Sequence, residues 1–569
     1  MTYAAPDREL AFLLYNVVDF QEVAKTEQFA EASEETVTAV LAEAGRLCTE
    51  VLAPLNRTGD LEPAVLENGV VRTSPGFKEG FDAIAEGGWV GLMANPEYGG
   101  MGLPQTVNSA VGDMTAAACL SLELNPLLTK GQIEALESHA TDAIKELYLP
   151  KLISGEWCGT MNLTEPHAGT DVGALSSRAE DNGDGTFAIS GQKIFITWGD
   201  SDFGRNICHL VLARLPDAPA GTKGISLFMV PKHLPTDEGD MGERNSLRVV
   251  SLEHKLGIHG SPTCVMEYDR ATGWLVGEEG GGMAAMFTMM NNARLAVGVQ
   301  GVGVAEAAYQ HALAYAMERK QGKAPRSGTI VEHADVRRML MAMKADTFAA
   351  RAICLACAVA IDMDRATGDS DWKARAAILT PIAKSFGSDT GVNVAQQGVQ
   401  IHGGMGFIEE TGAAQFLRDA RITPIYEGTN GIQAMDLVAR KMMDGGEAAY
   451  RLLDEVEANA EAARKGLPEL AEPLWNAAET LRETTEWLVG QELEDRFAGA
   501  VAFQTAFARV LGGHFHLKAA RAEGGSGPRT ELARFYLHRL LPEHAGLLQQ
   551  VRVGSDGLFA LSLEELTSA

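Results

Sequence analysis

Phe187-Ala188-Ile189-Ser190-Gly191-Gln192-Lys193-Ile194-Phe195-Ile196, Ile207-Cys208-His209-Leu210-Val211-Leu212-Ala213 and Ile225-Ser226-Leu227-Phe228-Met229-Val230 are short runs rich in Ile, Val, Leu and Phe, with Gly, Pro, Asp and Asn between them. They read as strands. Val249–Leu252 and Thr263–Tyr268 continue the series. No helix-length segment separates them, so an antiparallel barrel or sandwich fits better than a doubly wound sheet. On either side the texture is helical. Glu27–Val51 carries apolar residues at helical spacing, and helical signals return at Leu103–Leu122 and Ala140–Leu152. Beyond Gly280, Met283–Met317, Val336–Asp362, Trp372–His402 and Ile432–Met443 are long and rich in Ala and Met, as antiparallel bundles are. The predicted fold is α+β, mostly α. It comprises an N-terminal helical domain (1–155), a middle β-domain (156–279), a C-terminal helical bundle (280–445) and a further helical extension (446–569).

The chain has 569 residues and a formal net charge of −28. That surface repels nucleic acid and anionic membranes, so neither is an expected partner. An anionic ligand needs local Arg, Lys or backbone N–H donors against this background. No apolar run reaches transmembrane length. The segment Met1–Glu9 lacks a basic flank followed by an apolar core, which predicts no signal peptide and a cytoplasmic protein. The 7 Cys are scattered and odd in number, which points to reduced thiols. Cys354 and Cys357 form one CxxC in an Ala-rich helical stretch; two core thiols on one helix face account for it better than a metal, and no metal is expected.

The chemistry gathers near the three-quarter point, in Gln400-Ile401-His402-Gly403-Gly404-Met405-Gly406-Phe407, Arg418-Asp419-Ala420-Arg421 and Ile425-Tyr426-Glu427-Gly428-Thr429. A carboxylate on a short Gly-containing turn can point into a cavity, where burial raises its pKa toward that of a general base. Taken alone, a Glu before Gly-Thr is more often a helix cap. Gly298-Val299-Gln300-Gly301-Val302-Gly303 superficially suggests a dinucleotide loop. It lies in a helical stretch rather than after a strand, so close helix packing is the expected role.

The whole string from Gln400 to Thr429 resembles the C-terminal signature of the acyl-CoA dehydrogenases, and the resemblance covers about residues 30–445. It implies the helical, β, helical domain order, FAD as cofactor and dehydrogenation of an acyl-CoA thioester to the trans-2-enoyl-CoA. Glu427 matches the family's base for the α-proton, with the flavin taking the β-hydrogen as hydride. The thioester oxygen would be held by the Glu427 N–H and a flavin ribityl hydroxyl, an oxyanion hole for the enolate-like charge. Some members place the base just before the Arg of Asn291-Asn292-Ala293-Arg294; here that residue is Ala293, which agrees with Glu427. Met161-Asn162-Leu163-Thr164-Glu165-Pro166-His167-Ala168-Gly169-Thr170 resembles the flavin loop, with Met161, Leu163 and Thr164 at flavin positions and Thr170 at the position of a Ser that meets CoA or pyrophosphate. His167 stands where the family has Gly. Gln192–Gly199 resembles the second flavin strand, with Phe195, Ile196 and Thr197 at the ring. Glu318-Arg319-Lys320-Gln321-Gly322 partly resembles the signature whose Arg reaches the diphosphate of a neighbouring subunit's flavin; the family's Phe is missing. Arg319 suits phosphate by bidentate hydrogen bonding. Gln400, Gly403 and Gly404 match the segment that holds the partner's flavin adenosine half, and Thr429 matches a flavin contact beside the base.

Asn291 and Arg294 match substrate-site positions, although an ion pair inside the bundle accounts for Arg294 equally well. The resemblance also implies electron-transfer flavoprotein as electron acceptor and a homo-oligomer, a dimer being favoured. The segment Tyr3–Phe20 and the extension after 446 resemble a long bacterial subclass. It includes enzymes of 3-(methylthio)propanoyl-CoA, which makes that thioester the favoured substrate, ahead of short- to medium- or long-chain fatty acyl-CoAs. Met283, Met286, Met289 and Met290 suit a thioether pocket, and core packing accounts for them equally well. An acyl-CoA oxidase shares the base and flavin. A DNA-binding flavoprotein relative calls for a basic C-terminal region; residues 446–569 hold 12 Lys and Arg against 19 Asp and Glu, which disfavours it.

Overall fold

The computed structural model describes residues 3–568, the side chain of Asn291 excepted. The N-terminal domain is helical, with α1 (Asp7–Asn16), α2 (Glu34–Leu47) and α3 (Gln105–His139) among its elements. Ser33 caps α2, its hydroxyl accepting from Thr36 N–H at 3.2 Å, so this helix starts later than its apolar spacing suggested. A small hairpin, Val65–Glu67 with Val70–Arg72, interrupts the helices and was not expected. The first N–H groups of α3 are satisfied from a distance: buried Asp362 accepts from Gln105 N–H at 2.7 Å and Thr106 N–H at 2.8 Å. Helix α3 runs on to His139, past the predicted end, and breaks at Cys119 (φ −159°, ψ 88°). Near that break the Ser121 carbonyl accepts from the Trp198 indole at 3.0 Å.

The middle domain is a seven-stranded sheet made of β1 (Trp157–Asn162), β2 (Arg178–Asp181), β3 (Phe187–Thr197), β4 (Asn206–Arg214), β5 (Ile225–Pro231), β6 (Leu247–Leu252) and β7 (Thr263–Val276). Pairings β7–β3, β3–β2, β2–β4, β4–β5 and β5–β7 close a five-membered ring, with β6 added beside β7 and β1 beside β4. The barrel expectation holds, but its antiparallel character is incomplete, because β4 pairs in parallel with both β1 and β2. Neither of those two strands was legible: β1 is buried on both faces and lacks alternation.

Helices α4 (Gly282–Glu318), α5 (Ala334–Thr367) and α6 (Ser370–His402) form the bundle. In this up-down-up arrangement α4 and α6 run parallel and touch through glycines. A Cβ added at Gly298 would stand 2.5 Å from the Ala383 carbonyl oxygen, and one at Gly391 2.7 Å from that of Gly301. The glycine run is therefore a close-packing seam, as expected. Cys354 and Cys357 lie in the core. Helix α7 (Asn430–Val438) then leads to the extension, built on α8 (Glu447–Ala463), α9 (Pro468–Val489) and α10 (Leu493–Ala522).

The extension is welded to the bundle. Gln504 donates to the Pro381 carbonyl at 2.9 Å, and Arg509 pairs with Asp346. It also grips the opening segment: Arg529 makes two bonds to Glu9, at 2.7 and 2.6 Å, and lies 3.5 Å above the Phe12 ring. Among the described residues no helix is long and apolar enough to cross a membrane.

Candidate active site

The turn Pro424–Asn430 carries Glu427. It is closed by Asn430 N–H donating to the Pro424 carbonyl at 3.0 Å. Glu427 has φ +56° and Gly428 φ +85°. A left-handed glutamate costs about 1 kcal/mol or more and must be held by its surroundings. Gln433 Nε2 donates to the Glu427 carbonyl at 3.2 Å, and Thr429 Oγ1 caps α7 by accepting from Ile432 N–H at 3.3 Å. Asn430 ties the turn to α6: its Nδ2 donates to Asp389 Oδ1 at 2.8 Å and Ser388 Oγ at 3.0 Å, and its Oδ1 accepts from Lys384 Nζ at 2.8 Å.

Among the described residues, neither the Glu427 carboxylate nor its N–H has a hydrogen-bond partner. The residue keeps partial solvent access, yet protein surrounds its carboxyl densely. Burial raises the carboxyl to about 7, against the opposing pull of Arg294 and Lys384. Burial lowers Lys384 to about 8 and also depresses Arg294. Arg294 is 9% exposed, stands 3.8 Å from Asp436, and has no partner for its Nε among the described residues.

Next to the base, the Tyr426 hydroxyl donates to Gln300, whose Nε2 donates to Glu123 at 2.8 Å. Glu123 lies on α3 beside Ser121, the acceptor for Trp198. The stretch after the α3 break thus ties the end of β3 to the Glu427 turn. Burial raises the Glu123 carboxyl and lowers the neighbouring Lys130.

Strand β3 meets this point with a bulge. Cys264 pairs with Ile196 and Met266 with Lys193, so Ile194 and Phe195 together face only Val265. Phe195 takes φ +60° and is 59% exposed, while Ile196 is buried. The loop with Met161, Leu163 and Thr164 is pinned beside β3. Ile194 N–H donates to the Thr164 carbonyl at 2.9 Å, and buried Lys193 donates to the Leu163 carbonyl at 3.0 Å and to Glu165 at 2.9 Å. Burial alone would raise Glu165, but Lys193 and the Ser177 and Ser176 bonds hold it down at about 2. Met161, Leu163, Thr164 and Thr197 are half-buried, and the two threonine hydroxyls have no partner among the described residues. Glu165 and Ala168 close a tight turn across His167, whose ring reaches the Ala174 carbonyl at 3.1 Å. Thr170 is exposed on the following loop.

Arg319, Gln400, Gly403 and Gly404 lie elsewhere on the chain. The helical stretch from Lys384 to His402 spans ~27 Å, and that from Arg294 to Glu318 ~36 Å. Arg319 and Gln400 are exposed, and a Cβ at Gly403 or Gly404 would meet nothing within 4 Å. One chain therefore does not bring these four to the base. The side chain of Asn291 lies outside the described residues. Lys384, Asn430, Gln300 and Glu123 were not singled out in the sequence; the signal was a lone Lys inside the apolar run Ile378–Phe386.

A helical, a β and a helical domain in this order, each matching an acyl-CoA dehydrogenase domain, mark an oxidoreductase acting on the CH–CH bond of acyl-CoA thioesters. The chain matches the acyl-CoA dehydrogenase N-terminal domain over residues 28–156, the middle domain over 160–271 and the C-terminal domain over 280–443. The acetyl-CoA dehydrogenase C-terminal-like model matches residues 452–562. The chain belongs to the acyl-CoA dehydrogenase family, and the extension is part of its four-domain plan. It is 47% identical to the 3-methylmercaptopropionyl-CoA dehydrogenase of Ruegeria pomeroyi, over 99% of this chain and 100% of that one. Two solved structures, each 20% identical, share the fold. Caenorhabditis elegans ACDH-11 in complex with C11-CoA has a TM-score of 0.79, covering 98% of this chain and 96% of that one. The Bacillus anthracis acyl-CoA dehydrogenase complexed with FAD has a TM-score of 0.76, covering 94% and 91%.

Proposed function

We propose that this enzyme is FAD-dependent and that Glu427 removes the α-proton of its acyl-CoA substrate. The observation that carries the reading is the Glu427 carboxylate, unpaired on a strained turn, raised to about 7 by burial and flanked by two buried cations. At that value it is ionised often enough to accept a proton near neutral pH and basic enough to keep it. The unpaired Glu427 N–H is available to the thioester oxygen, where negative charge develops as the α-proton leaves.

The residues present fit an FAD. The unpaired hydroxyls of Thr164 and Thr197 and the outward Phe195 line one edge. Gly169, where an added Cβ has only Thr164 Cγ2 near, at 4.0 Å, leaves backbone approachable. Bound FAD would supply the acceptor for the β-hydrogen. Arg319, Gln400, Gly403 and Gly404 would serve the flavin of a second copy, which accounts for their distance from the base. The exposed Met405, Phe407 and Ile408 beside them favour a homodimer. Electron-transfer flavoprotein would take the electrons onward.

The favoured substrate is 3-(methylthio)propanoyl-CoA, on the strength of the full-length likeness to the Ruegeria enzyme. The test is anaerobic bleaching of the purified yellow protein by 3-(methylthio)propanoyl-, butanoyl-, octanoyl- and palmitoyl-CoA, in the parent and in Glu427→Gln. The variant should keep FAD and lose bleaching by every thioester. A variant that bleaches as fast as the parent removes Glu427 from the role. Fast reoxidation of the parent's reduced flavin by oxygen would favour an oxidase.

A further inference from the structure

Lys384 lies mid-way along α6 with no accessible surface. Burying an ammonium is costly unless a counter-charge offsets it. Among the described residues no carboxylate lies within salt-bridge reach of its Nζ; its hydrogen-bond partner is the neutral Asn430 Oδ1, at 2.8 Å. Asn430 begins α7, three residues after Glu427, and its amide is held by Asp389 and Ser388. The glycine seam sets α4 and α6 side by side, with Gly298 against Ala383, the neighbour of Lys384. Arg294 stands one turn before Gly298. The seam therefore brings Arg294 to within about one turn of Lys384, and both charges act on Glu427.

We propose that Lys384 is a positioning residue for the base: through Asn430 it fixes the turn that carries Glu427, and its buried charge favours the ionised carboxylate. This rests on the reading of Glu427 as the base. Lys384 touches neither substrate nor cofactor in this assignment. The other charges facing the turn are Arg294 from α4, Asp389 with Arg421 nearby on the α6 side, Asp436 with Arg440 from α7, and Glu123 with Lys130 from α3, acting through Gln300 and Tyr426. Removing one cation from this set favours the protonated carboxyl, so the pH below which the base is silent moves up.

The experiment is the rate of anaerobic flavin reduction against pH in the holoenzyme, with saturating acyl-CoA, for Lys384→Met, Lys384→Gln and Lys384→Arg. The acid limb should move up by about one pH unit in the Met and Gln variants, a roughly tenfold slower reduction below the limb, with recovery above it. Lys384→Arg should leave the limb in place. A merely structural role would lower flavin content or rate at every pH without moving the limb, and an unmoved limb in both Met and Gln variants overturns the proposal. If those variants fail to hold FAD, Asn430→Asp decides. It gives Lys384 a carboxylate partner beside the base and should also move the limb up; an unmoved limb there overturns the proposal. Glu427→Gln, measured alongside, separates the two readings. Parent-like reduction in it means that the base is elsewhere, whereas an inactive Glu427→Gln with unmoved Lys384 limbs means that only the role of Lys384 is wrong.

Discussion

Gly298→Ala should destabilise the bundle although alanine is the better helix former. The added Cβ would stand 2.5 Å from the Ala383 carbonyl oxygen, 2.9 Å from its carbon and 3.2 Å from Cys354 Sγ. Ordinary contact at 3.4 Å requires α4 and α6 to part by about 0.9 Å. Backbone cannot swing aside as a side-chain tip can, and overpacking of this kind costs about 1–3 kcal/mol. Helix propensity returns up to about 1 kcal/mol. With the full return, the net loss should be up to about 2 kcal/mol. Gly398 is the control on the same helix pair. Its Cβ would meet Ala308 oxygen at 3.6 Å and Ala312 Cβ at 3.8 Å, so Gly398→Ala has room and keeps the propensity gain. Thermal unfolding followed by circular dichroism should place Gly298→Ala below the parent and Gly398→Ala at or above it. Because Arg294 lies one turn from the seam, Gly298→Ala should also change the pH profile of flavin reduction. A Gly298→Ala midpoint at or above the parent's, or equal losses in both variants, would refute the seam.

The parent's flavin reduction should fall about tenfold per pH unit below the Glu427 value of about 7, as the base becomes protonated; stopped-flow traces between pH 5.5 and 9 check this. The same raised carboxyl opposes folding above its ordinary value of 4.5 and increasingly up to about 7, so Glu427→Gln should be more stable than the parent at pH 8, by no more than about 3 kcal/mol, and the gain should vanish by pH 4. Asp113→Ala takes the 2.6 Å partner from buried Arg351 but leaves it Glu306 at 3.0 Å, so in thermal or denaturant unfolding it should cost less than the ~3–5 kcal/mol of an uncompensated buried charge. Phe195→Gly relieves a left-handed backbone and should add about 1 kcal/mol of stability while FAD dissociates faster on dialysis.

The domain order, the ring strands β3, β4, β5 and β7, and the glycine seam were legible in the sequence because each follows from a local period or from small residues recurring in a helix. What escaped reading depends on contacts between distant segments. The bulge at Phe195 looks like uninterrupted strand from Phe187 to Ile196, since only the partner strand's one-residue deficit creates it. The break at Cys119 has no glycine or proline at its site. Asp362 caps α3 from a helix more than two hundred residues away, which no local pattern announces. At the site, Glu427 could be picked out by its motif, whereas Lys384 looked like one basic residue in a helix. Its significance lies in being fully enclosed beneath a turn 43 residues on.

The clasp between Glu9 and Arg529 joins residues 520 positions apart. On a ribosome adding roughly 5–20 residues per second, the opening helix would wait roughly half a minute to two minutes before its arginine emerges. Its apolar side, Leu10, Leu13 and Leu14, is buried in the finished molecule, where the helix packs against both Glu34–Leu47 and the extension. The last turns of synthesis therefore do more than append a domain. They complete the grip on the opening helix, so a product ending before Arg529 would hold that helix from the N-terminal side alone.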